Sequence, residues 1–166
     1  MKKIGFVIPW YYEDIRGGAE QEMRGLVKHL HEAGVDVEII TTCVKDFASD
    51  WTENYFKEGI DTIDGVTVRR FKTEHERIPK IFSALDSEML SNPDAGTDLS
   101  DRWIEHMGPY CPELVEYVDK HQDEYKAIIV VTYLYYTAVK SIVRIKDKAI
   151  FIPTAHQEPF IHFDMY

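Results

Sequence analysis

Three segments hold the residue types that could do chemistry. The first, "WYYEDIRGGAE" over 10–20, sets three aromatics and an arginine ahead of a Gly-Gly pair. The pair opens a helix-like stretch, and a helix start exposes unpaired N–H groups at the positive end of its macrodipole. Gly17 and Gly18 would let an anion such as a phosphate reach the backbone itself, with Arg16 placed to help or to sit in solvent. Trp10, Tyr11 and Tyr12 could wall a flat ligand such as a sugar ring, or fold back to cap the core. The second segment, "YLYY" over 133–136, adds Tyr133 and Tyr135. The third, "PTAHQEP" over 153–159, adds Glu158 and also His156, a residue type suited to proton handling or to a hydrogen bond with a reacting hydroxyl.

Several familiar chemistries lack their residues. No GxGxxG dinucleotide fingerprint, GxxxxGK[ST] phosphate loop or GxSxG elbow is present. His156, Glu158 and His162 lack a standard metal-ligand spacing, so neither a metal nor a cofactor is expected. Tyr136 and Lys140 have the Tyr-xxx-Lys spacing of a nucleotide-dependent epimerase, but without the glycine cofactor loop that class is disfavoured. Cys43 and Cys111 form no CxxC pair and read as buried, idle thiols of a reducing compartment.

The elements that must position these segments follow from periodicity. "KIGFVIP" is a short apolar run bounded by Pro9, as in a buried strand. Over 18–33, Met23, Leu26, Val27 and Leu30 recur at helical spacing, with Gly34 as the stop. "VDVEIITTC" is a second strand, so the three elements make a βαβ unit with parallel strands and a right-handed crossover. Asp64-Gly65 signals a tight turn before the alternating Val66, Val68 and Phe71. Helices are expected over 76–90, over 99–107 and from Pro112 onward, with a loop at "SNPDAGTD". "AIIVVTY" and "AIFIPTA" read as buried strands flanking a helix in "YYTAVKSIVRIK". The class is α/β: a Rossmann-like, mainly parallel sheet sandwiched by helices. Ligands of such sheets bind outside the carboxyl ends of the strands, so the three chemical segments should converge on one edge.

Composition narrows the partners. The 166 residues suit a single domain, and a 45% hydrophobic content supplies a core. A formal charge of −10 argues against a nucleic-acid partner, because phosphate backbones call for a Lys/Arg surplus. The apolar run from Ile4 to Pro9 is too short for a signal peptide or a membrane span, so a cytoplasmic location is expected and nothing indicates membrane association. The chain closes on the apolar, aromatic "PFIHFDMY", which reads more as a cut inside a longer protein than as a terminus.

The segment "IPWYY…RGGAEQEMRGLVKHLHEAGVDVEIITT" resembles the N-terminal half-domain of GT-B glycosyltransferases, in particular the retaining, family 4-like (group 1) type. The matching positions are Gly17, Gly18, Ala19, Glu20, Leu26, Leu30, Gly34, Val35, Val37 and Thr41. "DGVTVRRF", "GPYCPELVEYV" and "IPTAHQEPF" extend the likeness over essentially the whole chain. The resemblance implies that residues 1–166 are the acceptor-side domain of an enzyme moving a sugar from a nucleotide-sugar donor to a hydroxyl acceptor with retention. The nucleotide-sugar is then a substrate rather than a cofactor. It further implies that Gly17 and Gly18, with Arg16, face the donor diphosphate and that His156 lies at the reaction centre. Trp10, Tyr11, Tyr12, Tyr133, Tyr135 and Glu158 would face the acceptor. The family's C-terminal nucleotide-sugar-binding domain is missing from this chain, so residues 1–166 alone are expected to be inactive. The competing expectation is a stand-alone, non-catalytic α/β module that binds a sugar or phosphate.

Overall fold

The computed structural model describes residues 2–166 apart from Asp50, Thr52, Pro93, Ala95, Lys146 and Asp164. Its centre is a six-stranded sheet: β1 (Lys3–Val7), β2 (Val37–Thr42), β3 (Gly59–Ile63), β4 (Val66–Phe71), β5 (Tyr125–Val131) and β6 (Ala149–Ile152). The spatial order is β3-β4-β2-β1-β5-β6, with β3 antiparallel to β4 and every other pair parallel. The expected class, α/β with a mainly parallel Rossmann-like sheet, is the observed one.

Among the described residues, five α-helices connect the strands: α1 (Gly18–Glu32), α2 (Pro79–Ser91), α3 (Thr97–Met107), α4 (Pro112–His121) and α5 (Tyr136–Ile142). Alternate strand residues face opposite sides, and the two sides bury different helices. Phe6, Ile39, Val68 and Ile129 pack with Met23 and Val27 of α1. Val7, Ile40, Ile128 and Val130 pack with Leu114 and Val118 of α4 and Ala138 of α5. A third cluster, around the fully buried Trp103, joins α2, α3 and α5 to Phe163 near the chain end. No helix is long and apolar enough to cross a membrane among the described residues.

The β3–β4 hairpin turns on Asp64 and Gly65, both at positive φ (50° and 81°), the signature of the tight turn expected from that dipeptide. Cys43 and Cys111 are free and buried. Burial pushes their thiols up to about 11 and about 12, so at neutral pH both stay protonated and are poor nucleophiles.

Two elements differ from expectation. The last strand is not buried: β6 is a four-residue edge strand, and Ile150 and Phe151 are 51% and 43% exposed. An apolar run cannot tell a central strand from an edge strand, because neighbours decide that. The helix expected over 135–146 is only Tyr136–Ile142. Positions 93 and 95 of the expected "SNPDAGTD" loop lie outside the described residues.

The order of connection fixes where a ligand can sit. The chain moves outward from β1 through β2 to β4, then returns across the sheet to β5 on the other side of β1. That reversal leaves a crevice between the carboxyl ends of β1 and β5, the topological switch point of an open α/β sheet.

Candidate functional site

A cleft of about 600 Å³ opens at that crevice. Ile8 and Pro9 at the end of β1, Val131 to Tyr135 after β5, Thr154 to His156 and Glu158 after β6, and Gly18 to Glu20 of α1 contribute to its walls. Of the residues singled out from sequence, Gly18, Tyr133, Tyr135, His156 and Glu158 therefore meet in one place. His156 is exposed, lines the cleft and makes no hydrogen bond to another described residue.

Two wall residues are conformational outliers. Thr132 and Thr154 sit at φ 65° and 48°, a left-handed conformation that β-branched residues rarely adopt. The ladder holds the first of them: the Thr132 amide donates to the Ile152 carbonyl at 2.8 Å, and the Tyr133 amide donates to Pro153 at 3.0 Å. Backbone strain of this kind costs about 1–3 kcal/mol per residue and concentrates at functional sites. Nothing in the sequence marked either threonine.

The aromatic wall is corrected. Trp10 and Tyr11 are each 2% exposed and do not line the cleft. Tyr11 joins the core under α1, and its carbonyl accepts a hydrogen bond from the buried Arg70 at 2.8 Å. Trp10 packs with Ile15, Val44 and Trp51 and meets Tyr135 edge-on at 4.8 Å. Tyr12, half-buried, packs against the same cluster, donates to Asp46 at 3.3 Å and lies near Phe56. Burying two large rings stabilises the loop by more than a solvated wall could, so the hydrophobic effect decides their direction. Arg16 is likewise displaced: it lines a separate surface depression with Arg24 and Lys28.

The anion seat at the start of α1 is also altered. Gly17 is the N-cap at φ 130°, ψ 144°, a conformation almost confined to glycine. Glu20, in the first turn, folds back so that a Cβ on Gly17 would overlap its carboxylate. The Trp10 indole donates to that carboxylate at 2.9 Å. The positive end of α1 thus already faces a negative charge supplied by the chain itself. Gly18 differs: nothing lies within 4 Å of where its Cβ would stand. We expect Gly17→Ala to lower stability by about 1–3 kcal/mol and Gly18→Ala to leave it nearly unchanged, as read from urea unfolding. Equal effects would remove the distinction between the two glycines.

The charge of the cleft is one-sided. Glu20, Glu22 and Glu158 line it, and no Lys or Arg does among the described residues. Tyr133 donates to Glu158 at 2.5 Å. Burial first, and then this carboxylate, push the Tyr133 phenol well above the ordinary tyrosine range. Burial and the charge of Glu20 do the same for Tyr135. Both phenols therefore stay protonated at neutral pH. Such a surface accepts hydrogen bonds from hydroxyls and repels free anions. No group of three or more His, Cys, Asp or Glu is placed to hold a metal among the described residues. Tyr136 and Lys140 stand apart from the cleft: Tyr136 is buried and Lys140 pairs with Asp101.

Compared with protein families, curated proteins and solved structures, the chain matches none of them.

Proposed function

We propose that this chain is the acceptor-side half of a two-domain GT-B glycosyltransferase, moving a sugar from a nucleotide-sugar donor to a hydroxyl acceptor with retention. The observation that carries the reading is convergence. Segments 18–20, 133–135 and 154–158 lie far apart in sequence yet line one cleft at the sheet's switch point. Segments 18–20 and 154–158 belong to the stretches whose likeness to that enzyme type motivated the reading, and Tyr133 and Tyr135 are residues that the likeness implied on the acceptor side.

In this scheme the acceptor hydroxyl lies by His156, with Glu158 and Tyr133 positioning neighbouring hydroxyls. The bond between the anomeric carbon and the diphosphate oxygen breaks, and the acceptor oxygen bonds to that carbon on the same face. The acceptor proton leaves through His156 or directly to the departing diphosphate. The three carboxylates, one of them folded back on the start of α1, make this half a poor seat for the diphosphate, so its charge is met by cations of the second domain. The same lack of cations favours one competing reading: a sugar-binding module without chemistry.

One experiment with two arms tests the proposal. Titrated calorimetrically with uridine, guanosine and adenosine diphosphate sugars, this chain is expected to bind with dissociation constants no tighter than about 1 mM, a few kcal/mol of affinity. The protein carrying both halves is expected to release nucleoside diphosphate from one of these donors only when a hydroxyl acceptor is present. Tight binding to the chain alone would overturn the division of labour. Absence of acceptor-dependent release with every donor would overturn the transferase reading.

A further inference from the structure

A second cavity, of about 390 Å³, adjoins the cleft and shares two of its walls, Tyr133 and Ala155. The rest of its lining comes from the outer side of α5, from β6 and from the chain end. Among the described residues it contains no charged side chain. Val139 and Ile142 form its floor side, with Val143, Phe151, Ile161 and Tyr166 around them. The last four are exposed by 56%, 43%, 40% and 42%. Apolar side chains left open to water in one contiguous groove mark a binding surface.

Tyr133 divides the two cavities and belongs to both. Its hydroxyl points to the polar side, donating to Glu158 at 2.5 Å. Its ring meets Tyr166 edge-on at 4.9 Å in the apolar groove. A ligand that passes this residue therefore meets hydroxyl-binding carboxylates on one side and a mainly apolar, uncharged surface on the other.

We propose that the acceptor is amphiphilic: a hydroxyl-bearing head group that sits by His156 and Glu158, joined to a hydrocarbon chain that runs along Val139, Val143 and Phe151. This rests on the acceptor-side reading above and specifies its substrate class. The wall shared with the polar cleft, Tyr133 and Ala155, is what favours a small amphiphile over a protein partner. A helix or strand laid in the groove would make no use of a neighbouring carboxylate-lined cleft that shares Tyr133 and Ala155 with it.

The test compares octyl with methyl glycosides of glucose, galactose and mannose, each below its micelle concentration, by calorimetry and by chemical-shift changes in the labelled chain. In at least one pair the octyl glycoside is expected to bind about tenfold or more tighter, since each buried methylene adds favourable transfer energy. It should shift both the His156–Glu158 and the Val143–Phe151 signals. Val143→Asp and Phe151→Asp, at exposed positions outside the polar cleft, should abolish the octyl advantage and leave methyl glycoside binding unchanged. Equal affinities in every pair, an octyl advantage that survives both variants, or no binding at all would overturn the proposal. So would a concentration-dependent dimer dissolved by the same variants, which would make the groove an interface between copies. None of these outcomes touches acceptor-dependent release of nucleoside diphosphate, so the transferase reading stands or falls separately.

Discussion

Replacing Glu38 with glutamine is expected to lower the unfolding free energy by about 3 kcal/mol, at the low end of the range for removing one partner from a buried ion pair. Glu38 lies on β2 with 1% exposure, an unusual place for a carboxylate. Lys3 and Arg69 approach it at 2.9 and 2.8 Å from the flanking strands, and the Tyr125 hydroxyl donates to it at 2.9 Å. The low end applies because Lys3 and Arg69, at 32% and 24% exposure, can be rehydrated when the carboxylate is lost.

The same cluster sets a pH dependence. Burial alone would raise the Glu38 carboxyl, but hydrogen bonds from Lys3 and Tyr125 and the charge of Arg69 together hold it below the ordinary value of 4.5. A carboxylate depressed in the folded state contributes stability that is complete above its unfolded value and is lost as pH falls through its folded one. The difference in unfolding free energy between the wild type and Glu38→Gln should therefore be constant near neutrality and shrink on acidification below about pH 4.5. Urea unfolding across that range measures it. A difference that grows on acidification, or none at neutral pH, would mean that the cluster gives no net stabilisation.

Glu38 also shows where sequence reading stops. Apolar periodicity placed β1, α1, β2, the hairpin and β5 close to their observed bounds, because a strand or helix with one greasy face advertises it locally. In "VDVEIITTC" nothing local marks Glu38 as buried, because a charged residue between two apolar ones also suits a solvated face. Its burial is decided by Lys3, Arg69 and Tyr125, which come from three other strands. Trp10 and Tyr11 were ambiguous for the same reason: an aromatic next to a glycine loop suits a ligand wall and a core equally until its neighbours are known. The exposure of β6 likewise follows from its being last in the sheet order. Glu20 does carry a local signal, since an acidic residue three places after an N-cap commonly reaches back to the helix start. The outer strand ends were legible as a site because sheet topology alone makes them one, and His156 and Glu158 were found by position rather than by motif.

That position makes His156 the residue whose loss should cost most in the reaction. His156→Ala, in the protein carrying both halves, is expected to slow sugar transfer about 10²–10⁴-fold, the span ordinarily contributed by a positioned acid or base. Donor affinity should change far less, because in the proposed arrangement the imidazole faces the acceptor. Stability should hardly move, since the ring is exposed and bonded to no other described side chain. His156→Gln separates the two roles left open for the ring. Glutamine can donate and accept a hydrogen bond but cannot exchange a proton near neutrality. Recovery of most of the rate in His156→Gln would assign the ring to orienting the acceptor. A rate as low as in His156→Ala would assign it to carrying the proton. A normal rate in His156→Ala would remove the residue from the chemistry and leave the departing diphosphate as the group that receives the acceptor's proton.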